Sequence, residues 1–155
     1  MNEKIQRKFA LTLWVLISLI LALITLQGFS GNWITYFLIL PGGPANLGQT
    51  LIQGLAVLAL YHKIMGFLIG LLSILVLILA FVCRSSNYVR LFAVLGFVII
   101  AFAAAGGILF VQSGLQDRWP LGQMTDAFVG AYAAYFLQLY FMNKVPGLRL
   151  SSLRS

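Results

Sequence analysis

The sequence predicts an all-α fold, a polytopic membrane four-helix bundle. Three observations predict it. Mean hydropathy is +1.00. Of 155 residues, 61% are hydrophobic and only 8% are charged. Apolar runs of about 20 residues recur, the length that carries a helix across a hydrocarbon core of roughly 30 Å at ~1.5 Å per residue. A chain of this length is expected to form one transmembrane domain, residues 1–155, with no room for a soluble module.

The first span is expected at about Phe9 to Gly28. It is too long for the apolar core of a signal peptide and holds no small-residue cleavage site, so it reads as a mature helix. A longer segment, 29–61, follows. Pro41, Gly42, Gly43 and Pro44 break its apolar stretches and cannot continue a helix. Residues 51–61 are too short to span, and read either as an extension of the second helix or as an interfacial segment. The second span is expected at His62 to Cys83, the third at Leu91 to Ser113 and the fourth at Gln123 to Asn143.

The net charge of +7 would suit a nucleic-acid partner, but its distribution does not. Lys4, Arg7 and Lys8 precede the first span, Arg84 and Arg90 fill the second loop, and Lys144, Arg149 and Arg154 follow the fourth span. Eight of the ten basic residues thus fall on one side, leaving Lys63 and Arg118 on the other. Basic residues flank membrane helices on the cytoplasmic side. The expected topology therefore has both termini in the cytoplasm and loops 29–61 and 114–122 outside. The expected location is the cell membrane, with lipid and other membrane subunits as partners and no nucleic acid.

Small residues predict close helix packing: Gly66 and Gly70 on span two, "AFAAAGG" (101–107) on span three, and Gly130, Ala131, Ala133 and Ala134 on span four. The cluster on span three also suggests room for a large flat ligand against the backbone.

His62, in "LALYHKIMGFLIGLL" (58–72), is the chain's sole histidine. Counting back from Arg84 and Lys144 puts His62, Gln123, Met124 and Asp126 within about 1.5 to 6 Å of one depth, near the outer surface. A neutral imidazole is a good axial ligand for haem iron, and a thioether is a workable second one. His62 and Met124 are therefore the candidate cofactor-binding residues, with His62 the candidate metal ligand to a b-type haem. The plainer alternative makes His62 a hydrogen-bonded boundary residue, Met124 a packing residue, and Asp126 an ion-pair partner of Lys63 or Arg118.

Other chemistry is quickly excluded. With one histidine and only Glu3, Asp117 and Asp126 as acids, a zinc or di-iron site has too few ligands. One cysteine, Cys83, leaves neither an internal disulfide nor a thiolate cluster. No glycine-rich phosphate loop or nucleophile elbow is present.

Three patches resemble one four-helix half of the haem A synthase family: "ITLQGFSGNWITYF" at the end of span one, "YHKIMGFLIGLL" opening span two, and "AAAGGILFVQSGL" closing span three. The resemblance implies an axial-ligand role for His62 and a second half, or a partner, to complete the site. The departures are specific. The family's glutamate three positions before the histidine is Ala59 here, the following arginine is Lys63, and the second histidine has no counterpart, with Met124, Thr125 or Asp126 in its place. The expected function is accordingly an accessory, non-catalytic subunit of a larger respiratory membrane complex, with a b-type haem near the outer face. The alternative is a haem A synthase-like enzyme acting as an oligomer.

Overall fold

The computed structural model describes residues 3–39, 49–83, 86–112 and 119–145. They form four helices: α1 (Glu3–Ile39), α2 (Gln49–Val82), α3 (Asn87–Gln112) and α4 (Trp119–Lys144). Three of them contain stretches long and apolar enough to cross a membrane, Ile5–Gly31, Ala56–Val82 and Asn87–Gln112. α4 is as long as α3 but carries more polar side chains.

α1 and α2 run well past the apolar cores expected for the first two spans. Residues 29–39 continue α1, and 51–61 continue α2. Of the two readings open for 51–61, the helical extension is the one observed. Nothing in those stretches forbids a helix, so backbone hydrogen bonding carries it past the end of the hydropathic run. The Pro41–Pro44 break lies outside the described residues.

The remaining boundaries have local causes. Ser86 caps α3: its hydroxyl oxygen accepts from the Val89 amide at 3.4 Å, and its carbonyl accepts from Arg90 at 3.2 Å. Pro120 sits in the first turn of α4, where a missing amide proton costs nothing. α4 closes on a tightened turn in which the Val145 amide donates to Met142 O at 3.2 Å, with Lys144 against the negative end of the helix dipole.

Each helix packs on its neighbours in a closed square, α1 on α2, α2 on α3, α3 on α4 and α4 on α1, with α3 and α4 in the most extensive contact. α3 and α4 are antiparallel, because Gly96 meets Tyr135 at one level while Gly107 meets Met124 at another, and so are α1 and α2, where Gln27 meets Gly66 and Gly31 meets His62. The end of α2 meets the start of α3 through Phe81 and Arg90. The core is a set of stripes at helical spacing: Leu13, Ile17, Ile20 and Ile24 on α1; Ile69, Val76 and Ala80 on α2; Val89 and Ala93 on α3; Ala131, Tyr135 and Met142 on α4. Most other large apolar side chains face outward, as lipid permits and water would not.

At the level of Lys144 the bundle is ringed by aromatics and cations. Tyr88 and Phe141 stack with centroids 4.9 Å apart, the Arg90 guanidinium lies over Phe81 at 5.6 Å, and the Lys144 ammonium lies over Tyr140 at 5.2 Å. Aromatic rings and long cations gather where hydrocarbon gives way to water.

Candidate functional site

At the opposite end of the bundle the C-terminal part of α1 meets α2 and α4. Here α1 presents Gln27, Gly28, Ser30 and Gly31 within little more than one turn. His62 packs on this segment. Its ring Nδ1 lies 3.0 Å from the Ser30 hydroxyl oxygen, and its backbone carbonyl accepts from Gln27 Nε2 at 2.9 Å. The Ser30 hydroxyl donates to the Gln27 carbonyl at 3.0 Å, so the three residues form one connected cluster.

Two glycines make this clasp sterically possible, one on each helix. A Cβ on Gly31 would stand 3.0 Å from His62 Cε1, and one on Gly66 would stand 3.3 Å from Gln27 Nε2. The α1 glycine thus receives the α2 imidazole, and the α2 glycine leaves room for the α1 amide. Ser30 is buried and His62 half-buried, so these polar contacts form where water competes weakly for them. The imidazole at the edge of this long apolar run therefore ties α2 to α1.

α4 enters the same end from the other side. The Phe128 ring fills the space over Gly28, where a Cβ would come within 2.5 Å of it. Met124, one turn earlier, places its sulfur 3.6 Å from where a Gly107 Cβ would stand. Gln123 donates through Nε2 to the Phe102 carbonyl of α3 at 3.0 Å. His62 and Met124 therefore occupy the same end of the bundle, but His62 makes its contacts with α1 and Met124 with α3. Lys63 and Asp126 are both exposed, on helices that face each other diagonally. Arg118 lies outside the described residues.

The small residues divide between the interior and the outer surface, with Ala131 and Ala134 of α4 buried. Ala101, Ala104 and Ala105 point outward from α3, while Gly106 is buried and Gly107 faces Met124. Gly96, nearer the other end, is filled by the Tyr135 ring, which a Cβ there would approach to 2.7 Å. Beside Gly107, within the cluster 101–107, the Met124 side chain of α4 is the neighbour. Among the described residues, no three of His, Cys, Asp and Glu come together as a metal-binding group.

Sequence reasoning picked out His62 but not its partners. Gln27 and Ser30 lie three positions apart at the edge of the first apolar run, so they share a helix face. That spacing was the available signal. No family model, curated protein or solved structure matches the chain.

Proposed function

We propose that the chain is an accessory, non-catalytic subunit of a larger respiratory membrane complex, crossing the membrane four times with both termini in the cytoplasm. The observation that carries the subunit reading is the outward alanine face of α3. Ala101, Ala104 and Ala105 are spaced i, i+3 and i+4 and exposed, making a smooth strip on a helix whose other outward residues are bulky. In lipid such strips are where a second helix approaches closely, because backbone-to-backbone packing replaces the missing hydrophobic drive. α4 supports the fourth span. It is as long as α3, is in extensive contact with it, and ends at Lys144, which lies over Tyr140 at the end of the bundle where Arg90 lies over Phe81. The respiratory assignment follows from the resemblance.

A second reading concerns His62 as an axial ligand to a b-type haem near the outer face. The observation favouring it is the clasp: Nδ1 is engaged by Ser30, and the ring is seated against Gly31. Metal-ligating histidines characteristically use their second ring nitrogen in this way. The residues present fit one axial ligand. The second would be Met124 or a residue of a partner chain, and the haem, when bound, would supply one-electron transfer. Ala59 stands one turn before His62 without a carboxyl group, so hydroxylation of haem O is not part of the proposal.

The tests are direct. Purification in a mild detergent should bring down companion membrane proteins, and Ala104→Leu should reduce that recovery several-fold while the protein still inserts. Recovery unaffected by Ala104→Leu would remove the alanine strip from the proposal. Reduced protein should show sharp α and β bands that His62→Ala abolishes. Met124→Leu should lower the potential or turn the iron high-spin if the thioether is the second ligand. A featureless wild-type spectrum would end the haem reading and leave the subunit reading in place.

A further inference from the structure

We infer that Ser30 holds His62 in its Nδ1–H tautomer, so that Nε2 is the ring atom the site offers to a ligand. Its hydroxyl has one proton and two neighbours, the Gln27 carbonyl oxygen at 3.0 Å and His62 Nδ1 at 3.0 Å. A carbonyl oxygen only accepts, whereas an imidazole nitrogen can take either part. If the hydroxyl proton goes to the carbonyl, the serine oxygen offers lone pairs to the ring, and Nδ1 must donate. If the proton instead went to Nδ1, two oxygens would face each other at hydrogen-bond distance with no hydrogen between them. The first arrangement satisfies both contacts, and it leaves the Nε2 lone pair unused.

The surroundings keep the ring where this pairing requires it. A half-turn about the Cβ–Cγ bond would put a carbon in place of Nδ1 and break the contact with Ser30. Gly31 admits the Cε1 edge of the ring with no space to spare, and Gln27 anchors the backbone carbonyl of the same residue at 2.9 Å. Ser30 is 6% exposed, so water does not replace it as the partner of Nδ1. Ser30 and Gln27 are therefore positioning residues, acting through His62. A neutral imidazole protonated at Nδ1 is the form that gives Nε2 to a metal. The tautomer stands on the cluster alone; naming iron porphyrin as the ligand rests on the haem reading above.

A single histidine makes the test unambiguous, since only one pair of ring nitrogens can appear. Full-length protein labelled with 15N-histidine and reconstituted in lipid nanodiscs is observed above the pH at which imidazole charges. The proton is expected on Nδ1, with Nε2 showing the signature of a bare lone pair. Ser30→Ala should redistribute the proton toward Nε2, and Ser30→Thr, which keeps the hydroxyl, should restore it. A wild-type ring protonated at Nε2, or a tautomer unmoved by Ser30→Ala, overturns the inference. Should Ser30→Ala fail to fold, the wild-type spectrum decides alone. Titration with hemin then separates the two readings. Ser30→Ala should weaken binding about 10- to 100-fold, and Ser30→Thr should recover it. Hemin that ignores a correctly protonated wild type defeats the haem reading and spares the tautomer. Hemin bound by a ring protonated at Nδ1, with affinity unchanged in Ser30→Ala, strips Ser30 of its positioning role.

Discussion

Single residues in this bundle are constrained mainly by what fills the space above each glycine. Gly96 and Gly70 make the contrast. A methyl group on Gly96 would meet the ring of Tyr135, a fully buried side chain with no route of escape, whereas nothing stands within 4 Å of a methyl on Gly70. Gly96→Ala should therefore lower stability by about 1–3 kcal/mol, the usual cost of overpacking. Gly70→Ala should raise it by roughly 0.5–1 kcal/mol, because alanine loses less conformational entropy in a helix. Unfolding midpoints in mixed micelles would decide, and equal shifts at the two positions would contradict the packing described. Gln138 is a second residue with a definite expectation. It is fully buried, and neither amide atom has a hydrogen-bond partner among the described residues. An unmet polar group in a low-dielectric core costs about 1–3 kcal/mol. Gln138→Met keeps the volume and removes that cost, so it should stabilise the bundle. A loss of stability would show that the amide has a partner in the native membrane.

At the scale of helices, four helical segments were legible in the sequence, three of them long and apolar enough to cross a membrane. Hydropathy could not place the helix ends. Residues 29–39 and 51–61 extend α1 and α2 beyond their apolar cores, and a helix outside hydrocarbon needs no hydropathic signature. Nor could it say which way the alanines of α3 face. In a span that is apolar all round, no periodic contrast separates a buried face from a lipid face. The candidate site was half legible for a related reason. His62 stands out by residue type alone. Its ties to Gln27 and Ser30 join positions 35 and 32 residues apart, and only the pairing of α1 with α2 reveals them. The same clasp predicts a specific weakness: Gly31→Leu should separate α1 from α2 at this end. A disulfide engineered between the two helices there would then form more slowly than in the wild type, while one at the Lys144 level would be unaffected.

For the whole molecule, charge and architecture bear together on orientation. The closed square with antiparallel neighbours places the start of α3 and the end of α4 at one end, and the ends of α1 and α3 at the other. Arg90 and Lys144 mark the first end, and Arg7 and Lys8 lie in the opening turns of α1; Arg84, Arg149 and Arg154 lie outside the described residues. The cytoplasmic face retains such residues because moving lysine or arginine across the bilayer during insertion is opposed. Two exposed positions read the outcome, Asn87 at the start of α3 and Gly122 near the start of α4. Both can take cysteine in a background where the buried Cys83 is replaced by alanine. Nothing within 4 Å obstructs a side chain at position 122. A membrane-impermeant thiol reagent applied to intact cells should label Gly122→Cys and leave Asn87→Cys unlabelled until the membrane is opened. Labelling of Asn87→Cys alone would invert the bundle. Labelling of both from outside would mean that α3 does not cross, since α3 is the one helix that separates the two positions.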